Sequence, residues 1–301
     1  MNPPFAILLA AAFFGASAGA RAEPFTFAPA DGDHYLETSH REVIVDVDVK
    51  PAARDEDVTD TTTDVTVRKT GDSIRMDRTV KSMVETDNGK PFGNPAAPLA
   101  LNRTTTNVFD LNGTLLRVDG NENLIRDAER IFPVRFHAAL EAQFAPGALE
   151  TGERLVWQLI DRGILLGHEI RLNERWASEQ PAFLRNQPIN LSVVSRVVGL
   201  QRGGKSCDAT VLTFASTDPA LLKGVDRPGI ALVSDPAVED FLTWNIADLP
   251  LEKVVSRVTV DAKTLHLIQR EKIIVDVDSI PAGIKTRTEH ETICCKPLPS
   301  D

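Results

Sequence analysis

The segment "HYLETSHREVIVDVDVK", His34 to Lys50, decides the fold class of this 301-residue chain. Its second half alternates strictly, with valine at positions 43, 45, 47 and 49 and aspartate at positions 46 and 48. An apolar residue at every second position predicts a β-strand, because successive side chains of a strand point to opposite faces. We therefore expect the valines on a buried face and the aspartates in water.

A second segment near the end of the chain resembles the first. "VDVDSIPA", Val275 to Ala282, matches "VDVDVKPA", Val45 to Ala52, at six of eight positions. Two aspartates at i and i+2 on a strand lie about 7 Å apart, which is too far to chelate one ion alone. The proline that follows each pair ends a strand, because it cannot donate to the sheet. We interpret both segments as strand-then-turn units of one sheet, in which Asp276 and Asp278, like Asp46 and Asp48, face water opposite the valines. Shared strand patterning explains the likeness better than duplication.

Alternating patterns recur through the rest of the chain, separated by turn signals such as Asn112-Gly113, which is typical of a hairpin. The clearest helical stretch runs from about 121 to 145, where apolar residues recur at spacings of three and four. Pro133 in its middle predicts a kink or the start of a second helix, and Pro146-Gly147 predicts its end. The apolar stripe consists of Leu124, Ala128, Ile131, Phe132, Phe136, Ala139, Leu140 and Phe144.

These patterns predict an α+β fold that is predominantly antiparallel β. About ten strands in sequential hairpins form a sheet that normally curls or closes. A helix on its concave face would bury the apolar side chains there. We therefore expect one large, strongly curved sheet, a half-barrel or clam, with the insert at about 121–145 covering its concave face. No linker divides residues 23–301, so we expect a single domain.

The first 22 residues have the pattern of a signal peptide. The apolar run "FAILLAAAFFGASAGA" precedes Ala20-Arg21-Ala22, whose small residues suit cleavage before Glu23. A retained membrane anchor is the alternative, although the run is shorter than the roughly 20 residues that span a bilayer. The sequence thus predicts an exported protein, periplasmic rather than extracellular, that is not integral to the membrane after cleavage.

The overall charge bears on the choice of partner. The net charge is −10, which argues against nucleic acid, since binding phosphates requires basic surface. A content of 42% hydrophobic and 25% charged residues is typical of a globular domain. Aromatic residues make up only 6%, which argues against a carbohydrate-stacking surface.

The layout resembles that of uncharacterised exported bacterial proteins with a lipoprotein-carrier-like β-clam fold. The likeness lies in the long strands ahead of a helical insert and in "DLNGTLLRVDG", "LETGERLVW" and "VTVDAKTLHLIQREKIIVDVD". The resemblance implies a cavity between sheet and helices that holds something apolar, and it implies no catalytic residues. We expect the cavity near Leu124, Ile131, Phe132, Phe136, Leu140 and Phe144.

The three cysteines, Cys207, Cys294 and Cys295, are disulfide candidates, because cysteines of exported proteins usually pair. Adjacent strand residues point to opposite faces, so a bond between Cys294 and Cys295 would need a strained ring. We expect Cys207 to pair with one of the two, with Cys294 favoured and Cys295 left open.

No motif in the chain predicts a metal site, a cofactor or a catalytic group. His290 and Cys294 lie about 13 Å apart on an extended strand, too far to ligate one ion together. "DGNEN", from Asp119, imitates a calcium loop but has Leu124 where glycine is required and Arg130 where glutamate should bind the ion.

Three functions remain open on the sequence alone. The first is a non-enzymatic protein that binds or carries an apolar small molecule, a lipid or a lipidated partner. The second is a structural or protein-interaction module of the cell envelope that joins an envelope protein partner. The third is a hydrolase without a recognisable motif.

Overall fold

Twelve antiparallel strands form one open sheet in the computed structural model of the chain. The structure describes residues 23–48, 53–93, 97–138, 141, 146–159, 161–184, 187–203, 206–223, 225, 236–243, 251–281 and 283–298. The strands are β1 His34–Asp48, β2 Ala53–Thr70, β3 Ser73–Asp87, β4 Lys90–Pro91, β5 Thr104–Asp110, β6 Leu115–Asp119, β7 Arg175–Leu184, β8 Gln187–Gly203, β9 Ser206–Ser216, β10 Leu251–Asp261, β11 Leu267–Ile280 and β12 Gly283–Pro297.

The described helices are few and short. They are α1 Ala97–Ala100, α2 Leu124–Ile131, α3 Pro146–Leu159 and α4 Pro236–Leu242, with 3₁₀ turns η1 Val134–Phe136, η2 Arg162–Leu165 and η3 Pro219–Leu222. Within the described ranges, no helix is long and apolar enough to cross a membrane. The prediction of a predominantly antiparallel β fold with one large sheet is confirmed.

The strands lie in the order β6-β5-β3-β2-β1-β12-β11-β10-β9-β8-β7, and β4 pairs with β3. Strand β1 thus lies in the middle of the sheet, and β2, β3, β5 and β6 follow it towards one edge. Strands β7 to β12 run in sequence from the other edge back to the middle. The last strand, β12, pairs with the first strand, β1, so the two lie side by side at the centre of the open sheet.

The sheet buries apolar side chains on both faces. The core face carries Tyr35, Val65, Val211 and Val258, which belong to the largest cluster of buried residues. The opposite face carries a second cluster, formed by Val194, Phe214 and Val255 of the sheet with Leu222 of η3 and with Val238 and Phe241 of α4.

The segment before β1 is part of the core. Phe25 and Phe27 are 1% and 4% exposed. The backbone N–H of Phe25 donates to the carbonyl of His168 at 2.8 Å, and that of Ile170 donates to Glu23 at 2.8 Å. The chain from Glu23 onward is therefore fixed against the segment after η2.

Helix α3 packs against both edge strands, β6 and β7. Near its end, Trp157 lies 5.4 Å from the ring of Phe27 and 4.7 Å from that of Phe109. Its indole Nε1 donates to the carbonyl of Gly113 at 2.9 Å. Gly113 occupies the predicted turn between β5 and β6, with a φ of +85° that favours glycine.

The two "VDVD" segments lie on β1 and β11, the strands on either side of β12. Their alternation is confirmed, but the two strands are oriented differently. On β1, Val45 lies on the core face and Asp46 is exposed. On β11, Val275 and Val277 are buried on the opposite face, and Asp276 lies on the core face, where Arg287 pairs with it at 3.2 Å. The expectation that both aspartate pairs face water is therefore wrong for Asp276.

The helical region differs in its bounds from the predicted insert at 121–145. Helix α2 ends at Ile131, and Phe132 is extended, with a φ of −96° and ψ of 145°, because the following Pro133 disfavours helical geometry there. The predicted end at Pro146 is the start of α3 instead, and proline is well tolerated in the first turn of a helix. That the 121–145 segment covers a concave face is not confirmed.

Candidate functional site

An apolar cavity of about 380 Å³ lies between α1, α2 and the strands β2, β3 and β5. Its apolar wall consists of Val80, Met83, Ala97, Leu99, Ala100 and Leu124. Leu99 and Leu124 also pack with Ala128, partly buried Phe132 and Leu149 of α3 in a small cluster. The helices α1 and α2 therefore line one side of the cavity, and the sheet lines the opposite side.

Arg103 ties the two helices together at this cavity. Its Nε donates to the carbonyl of Leu99 at 2.8 Å, and its Nη2 donates to Asp127 of α2 at 2.7 Å. Since both bonds are charge-assisted, they fix the position of α2 relative to α1.

A second, polar cavity of about 280 Å³ adjoins the first on the core face. Thr63, Arg78 and Thr105 line both cavities. Side chains of β1, β2, β3, β5, β11 and β12 line its sheet side, while Glu153 and Trp157 of α3 and the Asp161-Arg162 pair cover it. The two adjoining cavities therefore differ in character, one mostly apolar and the other mostly polar.

An ionic network crosses the sheet side of the polar cavity. Arg270 donates to Asp161 at 3.2 Å and to Glu291 at 3.0 Å. Lys272 joins Glu291 at 3.1 Å to Glu289 at 2.9 Å. Arg270 and Lys272 alternate along β11, and the two glutamates alternate along the neighbouring β12, so all four lie on the core face.

The network continues along the sheet in both directions. Arg41 of β1 donates to Glu289 at 2.7 Å, and Arg287 pairs with both Glu289 and Asp276. At the other end, Arg162 donates to Asp161 at 3.1 Å and lies over the ring of Trp157. The described network therefore contains the cations Arg41, Arg162, Arg270, Lys272 and Arg287 and the anions Asp161, Asp276, Glu289 and Glu291.

Burial and charge act in opposite directions on the carboxyl groups of this network. Burial alone would raise the pKa of Glu289, but hydrogen bonds from Arg41 and Lys272 hold that pKa well below its usual range. Burial likewise opposes ionisation of Asp161, and the nearby charges of Arg162 and Arg270 lower its pKa nevertheless. These carboxylates are therefore ionised at neutral pH.

Glu37 and Arg78 form a separate ion pair at the junction of the two cavities. Arg78 Nη2 donates to Glu37 Oε2 at 2.5 Å, and Glu37 is 4% exposed. Tyr35 and Cys295 lie beside the pair on the core face, and burial raises the pKa of each. For Cys295 the pKa rises to about 12, also because Glu37 is close, so its thiol is protonated and unreactive.

Five buried polar atoms on the core side have no hydrogen-bond partner among the described residues. They are the hydroxyl of Tyr35, the Oε2 of Glu85, the Nε1 of Trp176, the Nε2 of His266 and the Nε of Arg270. Arg270 lines the polar cavity and Glu85 the apolar one. A buried polar atom without a partner is costly, so such atoms commonly mark where a ligand or water binds.

The structure places some of the predicted cavity residues at the apolar cavity and others on the exposed surface. Leu124 lines the apolar cavity, and Phe132 packs beside it. Ile131 and Phe136 are 37% and 42% exposed. Leu140 and Phe144 lie outside the described residues. The sequence reasoning missed the contribution of β3 and α1, including Met83 and Leu99, although the alternation of β3 provided a signal for Met83.

The expected disulfide is not present, and all three cysteines are free. Cys207 lies on β9, three strands from β12, so about 14 Å of sheet at 4.7–4.9 Å per strand separates it from Cys294 and Cys295. A disulfide needs Cα atoms within about 7 Å. Cys207 and Cys295 pack against the main core cluster, whereas Cys294 points to the opposite side and is exposed.

Candidate metal ligands are not brought together within the described ranges, where no group of three or more His, Cys, Asp or Glu side chains is placed to hold an ion. His290 instead pairs with Glu271 at 3.1 Å. Asp119, from the calcium-like "DGNEN", pairs with Arg117 at 2.9 Å.

The chain matches no known family model, and no curated protein is similar to it.

Proposed function

We propose that the protein binds an apolar or amphipathic small molecule, such as a lipid, and acts as a non-enzymatic carrier. The apolar cavity of about 380 Å³ between α1, α2 and the sheet carries this proposal. Ligand sites are typically concave, mostly apolar and a few hundred Å³ in volume, with a small number of polar groups that orient the ligand. Arg78, Arg103 and Glu85 are such groups here.

The fold supports this proposal through the position of α3. One helix packs against both edge strands, β6 and β7, which we infer to require a sheet that bends into a half-barrel. A half-barrel with helices at its opening is the clam geometry that the sequence suggests. In it, α1 and α2 are the lid of the apolar cavity.

The bonding of the cavity carboxylates favours binding over catalysis. Both oxygens of Asp161 accept hydrogen bonds from Arg162 and Arg270, and both oxygens of Glu291 accept as well. A general base must have an oxygen within hydrogen-bond reach of a substrate proton. Asp161 offers no oxygen without breaking an ion pair, and Glu291 offers only Oε1, which accepts from the Ser39 hydroxyl.

Native mass spectrometry with lipid extraction tests the proposal on protein purified from its own compartment. We expect a co-purifying apolar compound that is displaced by organic solvent. Ala100→Phe should lower its occupancy severalfold, because Ala100 lines the cavity and a phenyl ring would fill part of it. The matched control is Ala30→Phe at an exposed position. Equal occupancy in the two variants, or no bound compound in the unmodified protein, contradicts the proposal.

We also propose that the protein is exported, with residues 1–22 removed. Cell fractionation followed by N-terminal sequencing tests this part independently. A mature protein that begins at Glu23 in the periplasmic fraction is the expected result. A cytoplasmic protein that retains Met1 contradicts it.

A further inference from the structure

The polar cavity contains guanidinium donors that the described residues leave unused. The carboxylates of Asp161 and Glu291 each accept through both oxygens. Arg78 makes one hydrogen bond among the described residues, through Nη2 to Glu37, although a guanidinium has five N–H donors. Arg270, 6% exposed, keeps its Nε without a partner in the same part of the chain. A ligand that enters this cavity can therefore accept hydrogen bonds from Arg78 and Arg270.

The charged side chains that line the polar cavity balance in number. The cations are Arg78, Arg162, Arg270 and Lys272, and the anions are Glu37, Glu153, Asp161 and Glu291. The whole chain has a net charge of −10, so this cavity is less negative than the composition of the chain would give.

Arg78 lies where the polar cavity adjoins the apolar one. It lines both cavities, together with Thr63 and Thr105, and its side chain is 31% exposed. An amphiphile whose chain lies between Met83, Leu99 and Leu124 would thus bring its head group to Arg78 first and to Arg270 beyond it.

We propose that the polar cavity binds a monoanionic head group, a carboxylate or a phosphate, of the amphiphile whose chain occupies the apolar cavity. Arg78 and Arg270 are the head-group donors. This inference rests on the proposed function and names the ligand class for the same site. Charge-assisted bonds from guanidinium to carboxylate or phosphate are the strong, oriented interactions that distinguish an anionic head from a neutral one.

Isothermal titration of the delipidated, full mature protein with matched probes tests the proposal. The probes are dodecanoate, dodecyl phosphate and dodecanol, which share a chain and differ in the head. We expect both anions to bind at least tenfold more tightly than the alcohol, the equivalent of about 1.4 kcal/mol. Preference for dodecanoate indicates a fatty-acid head, and preference for dodecyl phosphate indicates a phospholipid-like head.

Two substitutions that break the same ion pair should act in opposite directions. Arg78→Gln removes a donor and leaves Glu37 to repel the anion, so dodecanoate should bind about tenfold more weakly. Glu37→Gln frees Arg78 from its competitor, so dodecanoate should bind severalfold more tightly. Dodecanol affinity should change little in either variant. A merely structural role of the pair would weaken both probes in both variants, and thermal unfolding of each variant shows whether it is folded.

The outcomes separate this inference from the proposed function. Dodecanol binding as tightly as the anions overturns the head-group inference and leaves the apolar carrier standing. Dodecanoate affinity that falls in both variants also overturns it. Absence of binding by all three probes contradicts the proposed function and the inference together.

Discussion

The guanidinium of Arg270 on β11 donates to the carboxylate of Asp161 at 3.2 Å, across 109 positions of sequence. Asp161 follows α3 and caps η2, accepting from the backbone N–H of Arg162 at 2.7 Å. Both side chains of the pair are about nine-tenths buried. The contact therefore attaches the covering segment to the middle of the sheet and closes one side of the polar cavity.

Asp161→Asn should destabilise the protein by about 3 kcal/mol. The substitution keeps the shape of the side chain but leaves the buried charges of Arg162 and Arg270 without their shared partner, and breaking a buried pair in this way costs about 3–5 kcal/mol. Urea unfolding at neutral pH measures the loss as a lower midpoint. The control is Glu150→Gln, which breaks the half-exposed pair with Arg154 and should cost below about 1 kcal/mol. Equal losses in the two variants would show that the pair contributes nothing beyond a surface contact.

Glu252 should make the protein less stable as the pH rises from about 4.5 to about 7. Burial, and then the charge of Asp276 opposite it on β11, raise the pKa of Glu252 from 4.5 to about 7 in the folded state. In that window the folded protein retains a proton that the unfolded chain has lost, so stability falls with rising pH.

Glu252→Gln removes this titration. The variant should be more stable than the parent at pH 8 by on the order of 2–3 kcal/mol, and about equally stable near pH 4.5. Thermal unfolding across the pH range measures both slopes. Glu239→Gln, at an exposed position on α4, controls for the change in net charge. A parent and a Glu252→Gln variant with parallel pH profiles would contradict the prediction.

The three thiols should react at different rates in the native protein. Cys294 is exposed, whereas Cys207 and Cys295 pack against the core, and the raised pKa of Cys295 disfavours its thiolate. Ellman's reagent should therefore give one fast thiol in the folded protein and three in urea. Cys294→Ser should remove the fast phase, while Cys207→Ser should retain it. Peptide mapping that finds Cys207 joined to Cys294 or Cys295 would refute the arrangement of the strands.

The sequence pattern predicted the strands well because period two is a local property. The alternation in β1 placed Val45 and Asp46 on the correct faces, and the Asn112-Gly113 turn was found at its position. The same pattern misled for Asp276, because helix α4 and η3 cover the opposite face behind β11 and bury Val275 there. Alternation shows that two faces differ, but not which face the core occupies.

The candidate site was harder to predict than the fold. Its ionic network joins residues as distant as Asp161 and Arg270, and pairing at that separation depends on strand order, which no local pattern contains. One signal was present: Arg270 and Lys272 alternate on one strand, as Glu289 and Glu291 do on another. Charges at alternate positions of a strand are typical of a solvated face, yet complementary charges on paired strands can also be buried together.

Trp157 should contribute more to stability than any other described side chain of α3. It is 5% exposed, packs between Phe27 and Phe109, and donates to Gly113, so it attaches α3 to the β5–β6 turn. Trp157→Ala should cost about 3–5 kcal/mol, the range for a buried aromatic truncated to alanine. Trp157→Phe should cost about 1–2 kcal/mol, since it retains the ring contacts and loses the hydrogen bond.

Chemical unfolding followed by far-ultraviolet circular dichroism measures both losses without depending on tryptophan fluorescence. Phe92→Ala, at a position 48% exposed, is the control and should change stability by less than about 0.5 kcal/mol. Because α3 also covers the polar cavity, Trp157→Ala should weaken dodecanoate binding more than Trp157→Phe does. If both Trp157 variants unfold at the midpoint of the Phe92 control, α3 does not hold the edge of the sheet as its contacts indicate.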